Sequence, residues 1–83
     1  GMQEGGFATS QRVITKNVNY SQIKNLIKSK EVQQVAIGQT IIKAIFKNGG
    51  EKVIYIAKKV GDDPTLIPLL EKNKVSYTAF NET

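Results

Sequence analysis

The sequence predicts an α+β domain: a small twisted mixed sheet, elements in the order β-α-β-β-β-α-β, with the helices packed on one face. Three observations carry that reading. Two segments, 21–30 and 63–72, place apolar residues at i, i+3 and i+4, the period of an amphipathic helix. Between them lie three apolar stretches, separated by Gly38-Gln39 and Asn48-Gly49-Gly50, both of which are hairpin signals. The chain has 83 residues, enough for one domain and too few for two.

Residues 1–12 are mostly Gly, Ser, Gln and Thr and read as a disordered tail, with Phe7 alone among them. Gly1 ahead of Met2 reads as a cloning scar, so the chain is expected to be a piece cut from a longer protein. A single domain over 13–80 and a short tail over 81–83 follow. Val13 to Val18 is β-prone. Ser21 is placed to cap the first helix by accepting from N–H groups two or three residues on. Ile23, Leu26 and Ile27 form its apolar stripe, while Lys24 and Lys28 mark a solvated side, and the helix ends near Lys30.

Val32–Ile37 is the next strand, and Gly38-Gln39 suits a type II′ turn with Gly38 in the first central position. Thr40–Lys47 and Lys52–Ala57 complete a meander. Ile42, Ala44 and Phe46 point one way, and Ile41, Lys43, Ile45 and Lys47 the other. In the third strand Val53 and Tyr55 share one face and Ile54 and Ile56 the other. The middle of the sheet is therefore apolar on both sides, more than one helical layer covers. Ile41, Ile45, Ile54 and Ile56 are the candidate subunit interface. After a loop over Lys58–Asp63, Asp63-Pro64 reads as cap and first residue of the second helix. Leu66, Leu69 and Leu70 make its stripe. Pro68 inside it removes a hydrogen bond, so either the first turn is irregular or the helix begins nearer Pro68. Asn73 ends it in the left-handed conformation, and Val75–Phe80 is the last strand.

The composition excludes much chemistry. There is no His and no Cys, which removes Ser-His and Cys-His catalysis, thiolate metal sites, disulfides and the usual general base. No catalytic, cofactor-binding or metal residue is assigned. No apolar run approaches the roughly 18 residues of a membrane span. Asp62-Asp63 is an isolated carboxylate pair that reads as a helix cap with a solvated neighbour. Gly49-Gly50 matches no phosphate-binding motif and reads as a turn. Tyr20, Tyr55 and Tyr77 are not interleaved with Arg and read as packing residues. The net charge is +5, and eleven of the twelve basic residues are Lys. This fits an ordinary solvated surface, with a nucleic-acid or anionic-lipid surface as the functional alternative.

Helix, three strands, helix is also the order of a double-stranded-RNA-binding domain, so a small basic RNA-binding domain is the alternative reading. Such domains set a basic cluster at the start of the second helix. Asp62-Asp63 stands there instead, and two carboxylates repel a phosphate backbone.

Taken in order, Tyr20-Ser21-Gln22-Ile23, the Val32–Ile37 strand, the Asn48-Gly49-Gly50 turn, Asp62-Asp63-Pro64-Thr65-Leu66-Ile67-Pro68-Leu69-Leu70-Glu71 and Val75 resemble the extracytoplasmic domain of the FtsH family. These are bacterial membrane-anchored ATP-dependent zinc metalloproteases. The resemblance covers residues 14–80, and Ile37-Gly38-Gln39-Thr40 and Val53–Lys58 look most like versions from Helicobacter- or Campylobacter-type bacteria. It implies a periplasmic, non-catalytic domain between two membrane spans, in an inner-membrane enzyme of protein quality control. Zinc, ATP and Mg would be held elsewhere in the full-length protein. It further implies a hexamer, contacts with membrane-protein regulators or substrates, and no nucleic acid. The family often has Gly where Asn73 stands and a non-proline where Pro68 stands. The isolated domain is expected to be monomeric or weakly associated when dilute.

Overall fold

The computed structural model describes residues 12–82, so the predicted tail up to Gln11, Gly1 included, lies outside the described residues. Its elements are β1 (Arg12–Asn17), α1 (Tyr20–Lys28), β2 (Gln34–Ile37), β3 (Ile41–Asn48), β4 (Glu51–Lys58), α2 (Leu66–Lys72) and β5 (Ser76–Ala79). The order is the predicted one. The five strands form one mixed sheet in the spatial order β1-β4-β3-β2-β5. The central pairs β4/β3 and β3/β2 are antiparallel, and the outer pairs β1/β4 and β2/β5 are parallel.

The core is made by one face of the sheet against one stripe of each helix. Ile23 and Ile27 from α1 and Leu66 and Leu70 from α2 pack with Val35, Ile42, Ala44 and Ala57 of the sheet, closed by Val32 and Val75. Both helices lie on that face, as the period-2 alternation of β3 and β4 requires. Tyr20, Tyr55, Leu26 and Leu69 are half-buried around it, whereas Tyr77 is 39% exposed and bonds to Glu71.

The helix ends differ from the sequence reading in instructive ways. Asn19, not Ser21, caps α1, and the Gln22 side chain accepts from the Asn19 backbone N–H at 2.8 Å. The helix stops at Lys28 because Lys30, at φ 61, turns the chain. There the Lys30 N–H donates to the Ile27 carbonyl and the Glu31 N–H to that of Leu26. α2 repeats this six-to-one and five-to-two arrangement: Lys74 N–H to Glu71 and Val75 N–H to Leu70, with Lys74 at φ 59. Asn73 itself has φ −94, so the left-handed residue is its neighbour Lys74, and the Asn73 side chain donates to the Leu69 carbonyl. The regular part of α2 starts after Thr65, and Asp63 caps the turn that enters it, its Oδ1 accepting from the Thr65 N–H at 3.0 Å. Pro68 is then the third residue of the helix, where an N–H has no intrahelical acceptor, so the ring costs no hydrogen bond.

Two strand boundaries also shift. β2 begins at Gln34 rather than Val32, because the Gln33 side chain replaces backbone pairing opposite Lys47, accepting from its N–H and donating to its carbonyl. Val32 goes to the core instead. The last strand shortens to Ser76–Ala79, because the Val75 N–H is spent on the Leu70 carbonyl at the end of α2 and its side chain is buried. The Gly49-Gly50 turn forms as predicted, Gly49 taking φ 62 between paired Asn48 and Glu51. The β2–β3 turn does not. Its central residues are Gln39-Thr40, closed by the Gly38 N–H on the Ile41 carbonyl, and Gly38 lacks the positive φ that a type II′ turn needs. Gly38 is glycine for another reason: a Cβ there meets the Glu82 side chain and the Phe80 ring well inside contact distance.

Candidate interaction surface

Strand pairing places the four candidate isoleucines together. Across β3 and β4, Ile41 stands beside Lys58, Lys43 beside Ile56, Ile45 beside Ile54, and Lys47 beside Lys52. All eight alternate with the core residues Ile42, Ala44 and Ala57, so they occupy the face opposite the helices. The four isoleucines are half-buried there. No element among the described residues covers this face beyond its margin. At that margin Phe80 lies under the Lys43 ammonium, 4.9 Å from ring centroid to nitrogen.

The sequence reading did not pick out the rims. Val13, 55% exposed, extends the face across β1 beside Lys52. Val60, 68% exposed, stands at the other end, in an open cleft of about 610 Å³ shared with Ile41, Ile56 and Lys58. The parity of Val13 was available in the sequence. The position of Val60 was not, because it lies in a loop without periodicity.

The C-terminal residues Phe80–Glu82 close the β2–β3 corner. Glu82 accepts from the Thr40 N–H, the Thr40 hydroxyl and the Ile41 N–H. The Thr40 hydroxyl and N–H hold this carboxylate below its ordinary range. Read as tail in the sequence, Glu82 is a fixed part of the fold.

On the helical side, the Asp62-Asp63 pair divides. Asp63 accepts from the Tyr20 hydroxyl at 2.7 Å and the Lys24 ammonium at 2.9 Å, while its other oxygen takes the Thr65 N–H and hydroxyl. The Thr65 hydroxyl, then Tyr20 and Lys24, hold its carboxyl well below the usual carboxylate range. Burial, with the Asp63 charge behind it, pushes Tyr20 up. Asp62 is exposed. Lys24, expected on a solvated side, is instead the cation of a partly buried pair that ties α1 to the entrance of α2. This cluster is a structural clasp with every oxygen of Asp63 engaged.

Fold and surface together define a small α+β domain, one amphiphilic sheet face left open by two helices that cover the other. A model of the family described as FtsH Extracellular matches residues 5–82, and the chain belongs to that family. It is 55% identical over 69 residues to the ATP-dependent zinc metalloprotease FtsH of Helicobacter pylori, covering 83% of this chain and 11% of that protein. Identity to the FtsH of Helicobacter felis is 52% over the same length, and to that of Sulfurovum sp. 44% over 64 residues. The chain is thus an FtsH extracytoplasmic domain of Helicobacter type, and it spans about a tenth of the length of the curated relatives it matches.

Proposed function

We propose that this chain is the non-catalytic periplasmic domain of an inner-membrane, ATP-dependent zinc metalloprotease. In that role it supports hexamer assembly and meets membrane partners in protein quality control. Its contact surface is the uncovered sheet face, with Ile41, Ile45, Ile54 and Ile56 at the centre. A neighbouring copy and a membrane partner are the two occupants that role offers. The carrying observation is the contiguous apolar row Ile41, Ile45, Ile54 and Ile56, opposite the helices, in a chain matching only a tenth of its relatives.

The residues present do not fit zinc. The chain has no His and no Cys, and among the described residues no three acidic side chains gather. Asp63 is engaged on both oxygens. No hydrolytic step is derived from this chain. A nucleic-acid partner is not proposed either, because Asp62 and Asp63 lead into α2 where a phosphate contact needs cations.

The test is accessibility in the intact, membrane-embedded assembly. Single Ile45→Cys and Ile54→Cys variants are treated with a membrane-impermeant maleimide, with Ile67→Cys on α2 as the exposed reference. The face reading expects Ile45→Cys and Ile54→Cys to be protected relative to both the isolated domain and the reference. Equal labelling in assembly and isolated domain removes that reading.

A further inference from the structure

The open face is cationic as well as apolar. Lys43, Lys47, Lys52 and Lys58 all project from it, interleaved with the isoleucines. Among the described residues the ion pairs are Arg12–Glu51 and Lys24–Asp63, and neither involves any of the four. Of the carboxylates at its margins, Glu82 is engaged by Thr40 and Ile41 and Asp63 by Tyr20, Lys24 and Thr65, while Asp62 is exposed beside Val60. Among the described residues, two of the four exposed large hydrophobic residues border it: Val13 beside Lys52, and Val60 in the cleft that joins Ile41 and Ile56 to Tyr20.

We propose that this face docks onto an anionic phospholipid surface. The proposal rests on the face being the domain's contact surface and names what occupies it. Of the two occupants that role offers, a second copy is the less complementary to this face. Face-to-face stacking sets four lysines against four, and the helical side of a copy offers Lys28 and Lys72 mixed with Asp62 and Glu71, with Lys24 already paired to Asp63, rather than a block of acids. The occupant that complements this face is negative. It also tolerates valine and isoleucine between the charges, as the boundary between headgroups and acyl chains does. Lysine suits such a layer: its ammonium is a point charge on a flexible stem that reaches phosphates while the stem lies on apolar surface. A polyanion without an apolar layer leaves the valines and isoleucines unsatisfied. An acidic protein surface is the competing occupant.

The experiment is vesicle flotation of the 83-residue chain. One set of vesicles is phosphatidylcholine alone, the other phosphatidylcholine with about a third phosphatidylglycerol, each at low and physiological salt. Binding is expected only to the anionic vesicles, weakening as salt rises. Lys43→Gln with Lys58→Gln lowers the partition coefficient about 10- to 30-fold. Lys28→Gln with Lys72→Gln, which removes the same net charge from the helical side, changes it by less than about twofold. Val13→Ser with Val60→Ser weakens binding without changing its salt slope. Circular dichroism on each variant confirms that the fold is kept. Equal losses from both lysine pairs mean that net charge alone acts, and overturn the proposal. So does an absence of binding to anionic vesicles at low salt. If Ile45→Cys and Ile54→Cys are protected in the assembly while vesicles fail to bind, the contact surface stands and its occupant is protein.

Discussion

The Tyr20 hydroxyl and the Asp63 carboxylate are 43 positions apart in the chain and 2.7 Å apart in the fold. With Lys24 on the same oxygen, they join the first turn of α1 to the loop that leads into α2. Each helix is short, nine and seven residues, and lengths below about 12–15 are marginal without tertiary support. The clasp supplies part of that support.

It makes stability depend on pH at both ends. The Asp63 carboxyl is depressed in the folded protein, by the Thr65 hydroxyl first and then Tyr20 and Lys24. Its contribution is therefore complete above its unfolded value of about 3.9 and is lost as pH falls below that toward the depressed value. Tyr20 is raised, chiefly by burial. Its contribution is complete below about pH 10 and is lost as pH rises beyond it. Urea midpoints measured across pH on the wild type, Asp63→Asn and Tyr20→Phe check both limbs. Asp63→Asn flattens the acid limb and leaves only the smaller part due to Glu82. Tyr20→Phe lessens the alkaline limb, leaving the part due to Tyr77, which its hydrogen bond to Glu71 also raises, and costs about 1 kcal/mol at neutral pH. An acid limb unchanged by Asp63→Asn disproves the role given to the clasp.

The element order and the sidedness of β3 and β4 were legible because both rest on local signals. Gly49-Gly50 must turn, and alternation must put Ile42 and Ile45 on opposite faces. Position along the chain was less legible wherever a side chain substitutes for backbone, as Gln33 does before β2. Long-range partners left no local trace. Nothing near Asp63 announces Tyr20, and nothing near Gly38 announces Glu82. At the surface, the isoleucine row followed from strand parity, and the rim residue Val60 did not.

The Gly38–Glu82 relationship gives a second expectation. Gly38→Ala adds a Cβ where the Glu82 side chain and the Phe80 ring already lie, and both are flexible enough to be pushed aside. The fold survives, but Glu82 loses its hold on Thr40 and Ile41. Gly38→Ala and Glu82→Ala each lower the urea midpoint, and the double variant falls little further than either alone. Additive losses place the cost of the methyl group somewhere other than the C-terminal residues.

Lys30 and Lys74 occupy left-handed backbone at φ 61 and φ 59, each at the position after a helix cap where glycine is the usual residue. Their exposed side chains make none of the described hydrogen bonds or ion pairs. Relief of the Cβ clash exceeds the entropy that glycine adds to the unfolded chain. Lys30→Gly and Lys74→Gly each raise stability by about 0.5–1 kcal/mol, and the two add because the caps are separate. Thermal unfolding of the single and double variants is the check, and a loss at either site shows that the lysine stem carries packing that outweighs the strain.

The two faces of the sheet differ in what they do for folding, and a pair of truncations separates them. Ile42 is fully buried between the helices and the sheet, so Ile42→Ala leaves a cavity and costs about 2–5 kcal/mol. Ile54 is half-buried on the open face with no layer above it, so Ile54→Ala in the isolated domain costs about 1 kcal/mol or less. The same Ile54→Ala change removes apolar area from the contact surface and weakens vesicle binding. A face kept apolar only for the stability of one domain would show the reverse: a large loss at Ile54 in unfolding experiments and no change in binding. Denaturant unfolding and flotation of the same two variants therefore decide whether the isoleucine row serves the domain itself or what the domain meets.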